Sequence, residues 1–206
     1  QWGDDWFIVP VDGYGNQDMI RSIMRTEKPD VIWFMTDPRF WGWLWQMENE
    51  IRPNIPMVYY HVWDNYPYPK FNAPFYKSND MIVTISKVTD DIVKTVAPET
   101  KSTYLPHAVD TNIFKILDDA TSKKNREQSF GKNKDRFIFF WNNRNARRKM
   151  SGSIVYWFNN FLNKVGRDKA MLLMHTNPKD ENGQDLEAIA KDLGMNGDEV
   201  LFSNNK

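Results

Sequence analysis

Met81-Ile82-Val83-Thr84-Ile85-Ser86-Lys87 is an apolar run ending on a serine and a lysine, and Val88, Ile92, Val93 and Val96 follow it at helical spacing. The run does not alternate polar with apolar, so it reads as a strand buried on both faces. The change of period predicts a helix after it, which Ser86 or Thr89 can cap. Ser102-Thr103-Tyr104-Leu105 is then a further short strand. Working back toward the N-terminus, Pro56-Met57-Val58-Tyr59-Tyr60-His61, Val31-Ile32-Trp33-Phe34-Met35 and Trp6-Phe7-Ile8-Val9-Pro10-Val11 have the same unalternating character. Between them Met19, Ile20, Ile23 and Met24 mark one helix. Asp37 with Pro38 opens another that is expected to run through Trp41, Leu44, Trp45 and Glu48;. Strands of this kind alternating with helices predict an α/β protein whose parallel sheet is covered on both faces.

Toward the C-terminus the rhythm stops and restarts. Residues 118–135 are almost all polar and read as a linker or exposed excursion;. Phe137-Ile138-Phe139-Phe140-Trp141 is a strand, Ile154, Val155, Phe158, Phe161, Leu162 and Val165 a helix, and Ala170 to Met174 a second strand. Leu186, Ile189, Ala190 and Leu193 form a helix ended by Gly194, and Val200-Leu201-Phe202 is a last strand. The expected domains are therefore 1–117, an intervening 118–135, and 136–206. A doubly wound domain usually has about five or six strands, so the second is expected to be incomplete.

Composition removes several functions. The 206 residues carry 27 basic and 27 acidic side chains, a balance that gives no electrostatic footprint for nucleic acid;. With no Cys, a disulfide framework, a thiolate metal site and a Cys nucleophile are excluded, and a reducing compartment fits;. No apolar run approaches the roughly 18–20 residues of a spanning helix, so no transmembrane segment is expected. Gln1-Trp2-Gly3-Asp4-Asp5 resembles no signal peptide and lacks an initiator Met, which predicts a piece of a longer protein;.

The chemistry concentrates in Trp141-Asn142-Asn143-Arg144-Asn145-Ala146-Arg147-Arg148-Lys149, where a strand ends and a helix begins. Ligands of open α/β sheets bind outside the carboxyl ends of strands, and helix N-termini offer free N–H groups to anions. Four cations at such a place describe a phosphate or diphosphate pocket, against the plainer reading of a solvated basic helix start. His61 stands at the carboxyl end of another strand and is expected to face the same cleft. An imidazole there can donate to a developing phosphate charge. Asp64 can orient that ring, bond a sugar hydroxyl, or serve a turn. His107 reads as structural first and cleft-lining second. Gly13-Tyr14-Gly15 fits a tight turn as well as a nucleotide loop. Trp63, Tyr66 and Tyr68, in a loop with Pro67, Pro69 and Pro74, can stack on a sugar or on one another;.

The order of these elements resembles a GT-B fold glycosyltransferase of the retaining family 4 type, with two Rossmann-like domains. In that family a Gly-Arg pair ends the first strand of the C-terminal domain, and a Lys-Gly pair follows five residues on. Arg144 and Lys149 have that spacing, with Asn143 and Met150 where the glycines would stand. Lys28-Pro29-Asp30-Val31-Ile32 is similar to the Pro-Asp preceding a family strand, and Ile82 to Lys87 to its strand ending in Ser-Lys. Leu105-Pro106-His107-Ala108-Val109-Asp110, with Phe114, resembles the segment that closes the first domain. The resemblance implies transfer of a sugar from a nucleotide sugar to a carbohydrate or glycolipid acceptor with retention, without metal or other cofactor. Arg144 and Lys149 would hold the donor diphosphate and His61 would be the catalytic-site histidine. Asp64, Asn143, Arg148 and His107 would be cleft contacts. It also implies a cytoplasmic or membrane-peripheral place. The family's two Glu separated by seven intervening residues are not found here, so both ends are expected to be truncated, this chain to be inactive by itself, and a homodimer is one way to cover the exposed sheet edge. A non-catalytic nucleotide-sugar or carbohydrate-binding module and a nucleotide-sugar epimerase of the same fold remain open.

Overall fold

A computed structural model gives the structure, and it describes residues 6–203. The chain divides into two compact units, Gln1–Phe114 and Lys115–Lys206.

In the first unit, α1 (Gln17–Thr26) is capped by Asn16, whose side chain accepts from the Met19 N–H. Four strands follow, β1 (Ile32–Met35), β2 (Met57–His61), β3 (Met81–Thr84) and β4 (Ser102–Tyr104), all parallel and in the order β1-β2-β3-β4. Between β1 and β2 lie α2 (Gly42–Trp45) and α3 (Glu48–Ile51). α4 (Ala73–Lys77) precedes β3, and α5 (Lys87–Val96), capped by Ser86, precedes β4. Right-handed crossovers between strands in sequential order put every connecting helix on one face. Phe34, Tyr59 and Ile82, neighbours in register, point to that face and pack with Leu44, Trp45, Ile51 and Ile92. On the opposite face Trp33 and Met35 of the edge strand stay 54% and 55% exposed. Cover on both faces, as expected from the sequence, is therefore complete only on the helix side among the described residues.

Two further expectations are corrected here. Trp6 to Val11 forms no strand; it is irregular and exposed, because no described strand offers its backbone a ladder and strand propensity acts only through such pairing;. The helix expected through Trp41 to Glu48 is broken into a 3-10 turn at Pro38–Phe40 and the short α2 and α3. Trp41 leaves the helical region at φ −122°, and Gly42 next to it is a poor helix former;.

The second unit opens with α6 (Asp119–Phe130), within the stretch expected as a linker or excursion. It buries none of its residues and is polar all round. Its Asp118 cap accepts from the Thr121 N–H, and Arg126 donates to the carbonyls of Lys134 and Arg136. Then come β5 (Phe137–Asn142), α7 (Ser151–Val165), β6 (Ala170–His175), α8 (Leu186–Asp192) and β7 (Val200–Ser203), the strands parallel in the order β5-β6-β7. Val155, Phe158 and Leu162 of α7 and Leu186 and Ala190 of α8 cover Ala170, Leu172 and Met174 of β6. Among the described residues no helix is long and apolar enough to cross a membrane.

Candidate functional site

His61 ends β2, but its side chain follows Met57 and Tyr59 onto the helix-covered face and has no exposed surface. Tyr59 Oη donates to the Thr36 carbonyl at 2.7 Å, so it accepts from the His61 Nδ1–H at 2.8 Å. Nε2 then accepts from Tyr76 Oη at 2.7 Å, and Tyr76 accepts from the Asn72 amide. Burial pushes the His61 pKa down to about 3 and that of Tyr76 up to about 12. The expected cleft-facing histidine is thus corrected to an enclosed, neutral one: strand position fixes where the backbone ends, while the period of two fixes the face. Asp64 is exposed and does not hold that ring. His107 is exposed, with its ring stacked on Tyr60 and its Nδ1 3.2 Å from the Tyr60 hydroxyl. Tyr66 is exposed and meets Tyr68 edge-on, whereas Trp63 packs beside His61.

The second unit gathers the expected cations. After β5 come Asn143 and Arg144, and a 3-10 turn carries Arg147, Arg148 and Lys149. Met150 turns the chain into α7 with φ +52° and ψ +37°, a left-handed conformation that favours glycine;. Arg147 and Arg148 are exposed and Lys149 is half-buried. None of the three has a carboxylate partner among the described residues. Arg144 does: its Nε and Nη2 lie 2.9 and 3.2 Å from the two oxygens of Asp180. The Arg144 guanidinium holds the Asp180 carboxyl below its usual range.

Asn145, fully buried, fastens this loop to the one after β6. Its amide nitrogen is 2.7–3.3 Å from the carbonyls of Asn177, Pro178 and Gln184, and its oxygen accepts from Ser151 Oγ at 2.6 Å. The fit is close enough that a Cβ on Gly183 would lie 2.0 Å from the Asn145 carbonyl oxygen. Gln184 also takes the Gly152 N–H, one of the first-turn donors of α7. A concavity of about 430 Å³ opens at the carboxyl ends of β5 and β6, lined by Asn142, Asn143, Arg144, His175, Asn177 and Asp180 among others. Its cation, Arg144, is paired with its carboxylate, Asp180, and the cations of the 3-10 turn, Arg147, Arg148 and Lys149, follow in the same loop; cations near a strand end suit an oxyanion. No group of three His, Asp or Glu side chains able to hold a metal ion occurs among the described residues.

Asn143, Arg144, Arg148 and Lys149 are thus together in one loop of the second unit, while His61, Asp64 and His107 belong to the first. The sequence reading missed Asp180, Asn145 and His175. Asp180 lies 36 positions from its partner, and its one signal was a polar loop following the strand Ala170 to Met174.

No protein-family model matches this sequence, and no curated protein matches it. Solved structures do. Anabaena HepE, in complex with UDP and glucose, matches with a TM-score of 0.66 at 12% identity, over 95% of this chain and 54% of HepE. An α,α-trehalose 6-phosphate synthase from Burkholderia multivorans gives 0.61 at 12% identity, over 91% of this chain and 50% of its own. An Escherichia coli trehalose-6-phosphate protein bound with UDP-2-fluoro glucose gives 0.59 at 12%, over 91% and 51%. This chain therefore spans about half the length of the structures it resembles. The likeness is one of fold: the two parallel α/β units are Rossmann-like domains of the GT-B type.

Proposed function

We propose that this chain is part of a glycosyltransferase that takes a nucleotide sugar and passes the sugar to a carbohydrate or glycolipid acceptor with retention of configuration. The observation that carries the reading is the loop from Asn143 to Lys149. It brings four cations to a strand end, three of them without a carboxylate partner among the described residues. The GT-B fold supports it, as do HepE with UDP and glucose and the E. coli protein with UDP-2-fluoro glucose.

Arg144 and Lys149 would grip the diphosphate and neutralise the charge that grows on the departing nucleoside diphosphate as the glycosidic bond breaks. Asn143 and Arg148 would line the same site. Asp64 and His107, exposed in the first unit, would supply polar contacts to the acceptor. His61, bonded to Tyr59 and Tyr76 and without exposed surface, would serve its own strand end rather than the substrate. The reading needs no metal, and it places the protein in the cytoplasm or at a membrane surface. A non-catalytic nucleotide-sugar-binding module is the second reading, favoured by the enclosure of His61.

Calorimetric titration with UDP-glucose, followed by a transfer and donor-hydrolysis assay, tests both readings. Binding that falls about tenfold or more in Arg144→Ala and in Lys149→Ala is expected, the scale of a lost charge-assisted hydrogen bond. Binding without turnover, in this chain and in a longer parent alike, favours the second reading. No binding of any nucleotide sugar overturns both.

A further inference from the structure

We infer that Asp180 is a positioning residue for the anion site, gripping one side of the Arg144 guanidinium so that its free end is presented to a nucleoside diphosphate. The inference rests on Arg144 being a phosphate ligand, as proposed above. A guanidinium carries five N–H donors in a rigid planar fork. Asp180 engages the side of that fork, Nε at 2.9 Å and Nη2 at 3.2 Å. Nη1 has no partner among the described residues, so the end of the fork stays available and points away from the carboxylate. Two phosphate oxygens match an end-on fork as well as a carboxylate matches the side.

The pair is unequal, and the inequality shows which member is the anchor. The Arg144 side chain is 62% exposed and that of Asp180 only 14%. Asp180 is fixed by two further hydrogen bonds and by the anchoring of its loop. Its Oδ1 accepts from the Asn182 N–H at 2.9 Å, and its carbonyl accepts from the Gly183 N–H at 2.9 Å. Asn145, buried beneath, ties the same loop to the phosphate loop through the carbonyls of Asn177, Pro178 and Gln184. A counter-ion that merely screened Arg144 would need none of this support. Ordering a long side chain in advance removes an entropic cost that binding would otherwise meet.

Positioning and blocking predict opposite signs. A blocking carboxylate competes with the ligand, so its removal tightens anion binding. A positioning carboxylate, once removed, weakens binding even though the site becomes more positive. Asp180→Asn keeps the shape and the acceptor for Asn182, and Arg144→Lys keeps the charge but has no fork to orient.

The experiment is a UDP titration of the wild-type chain, D180N, R144K, R144A and the D180N/R144K double variant, with melting curves confirming that each is folded. D180N is expected to weaken UDP about tenfold, the scale of one charge-assisted hydrogen bond. It should have no further effect in the R144K background, since coupled neighbours are non-additive. Equal losses in both backgrounds would give Asp180 a role in loop structure only and overturn the inference. Unchanged or tighter UDP binding by D180N overturns it too. If D180N does not fold, D180S, which keeps an acceptor for the turn, takes its place in the cycle. Wild-type affinity in R144A, or no UDP binding by the wild-type chain, would instead remove Arg144 as a phosphate ligand, and the inference would fall with it.

Discussion

Both ring nitrogens of His61 are engaged by tyrosines, and the direction of each hydrogen bond is set by the groups at the ends, Thr36 and Asn72. A buried ring kept neutral has a consequence for stability. The folded pKa is about 3, below the roughly 6.5 of an unfolded histidine;. Between those values the unfolded chain binds the extra proton. His61 therefore contributes fully above pH 6.5, and its contribution falls toward pH 3 by about 1.4 kcal/mol per unit. Urea unfolding at several pH values from 4 to 7 should show a steeper acid loss in wild type than in His61→Gln; equal slopes would count against an enclosed neutral ring. Met150 is the second informative residue. Its left-handed backbone costs a non-glycine residue about 1–2 kcal/mol, and its side chain is exposed, so little packing is lost on truncation;. Met150→Gly should raise stability by up to about 1 kcal/mol after the larger unfolded-state entropy of glycine is subtracted. A lower melting temperature would contradict this. The spacing of Arg144 and Lys149 was legible because both lie in one short loop. The direction of His61 was misread because its strand's period was not followed to its last residue.

At the scale of elements, strands were readable wherever an unalternating apolar run found a partner. β2, β3, β5 and β6 begin and end within a residue or two of the expected positions. Trp6 to Val11 has the same composition and no ladder, so pairing, which a local reading does not contain, decided its fate. α6 was missed for the converse reason: with no buried residue it has no apolar stripe, and an Asp cap and the reach of Arg126 hold it. The least legible element was the loop after β6, whose conformation depends on a contact with Asn145 across 39 positions of sequence. Gly183 exposes that dependence. Alanine there must displace backbone rather than a flexible side chain, so Gly183→Ala should destabilise the chain by about 2–3 kcal/mol;. Denaturant midpoints check this, and a neutral substitution would show that the two loops are not locked together.

At the scale of the whole molecule, the pause and restart of the strand–helix rhythm announced two α/β units, and the division falls at Phe114 and Lys115. The GT-B type followed from the order of weak motifs, and the solved structures share it at an identity too low to carry more than fold. Function therefore stands on one loop. Amide hydrogen exchange of the whole chain, with and without UDP-glucose, tests it most directly because it shows where the ligand sits without assuming turnover. Protection on adding UDP-glucose should concentrate in residues 142–152 and 177–184 of the second unit. Unchanged exchange across both segments at saturating ligand, or protection confined to the first unit, would contradict an anion site built on Arg144 and Lys149.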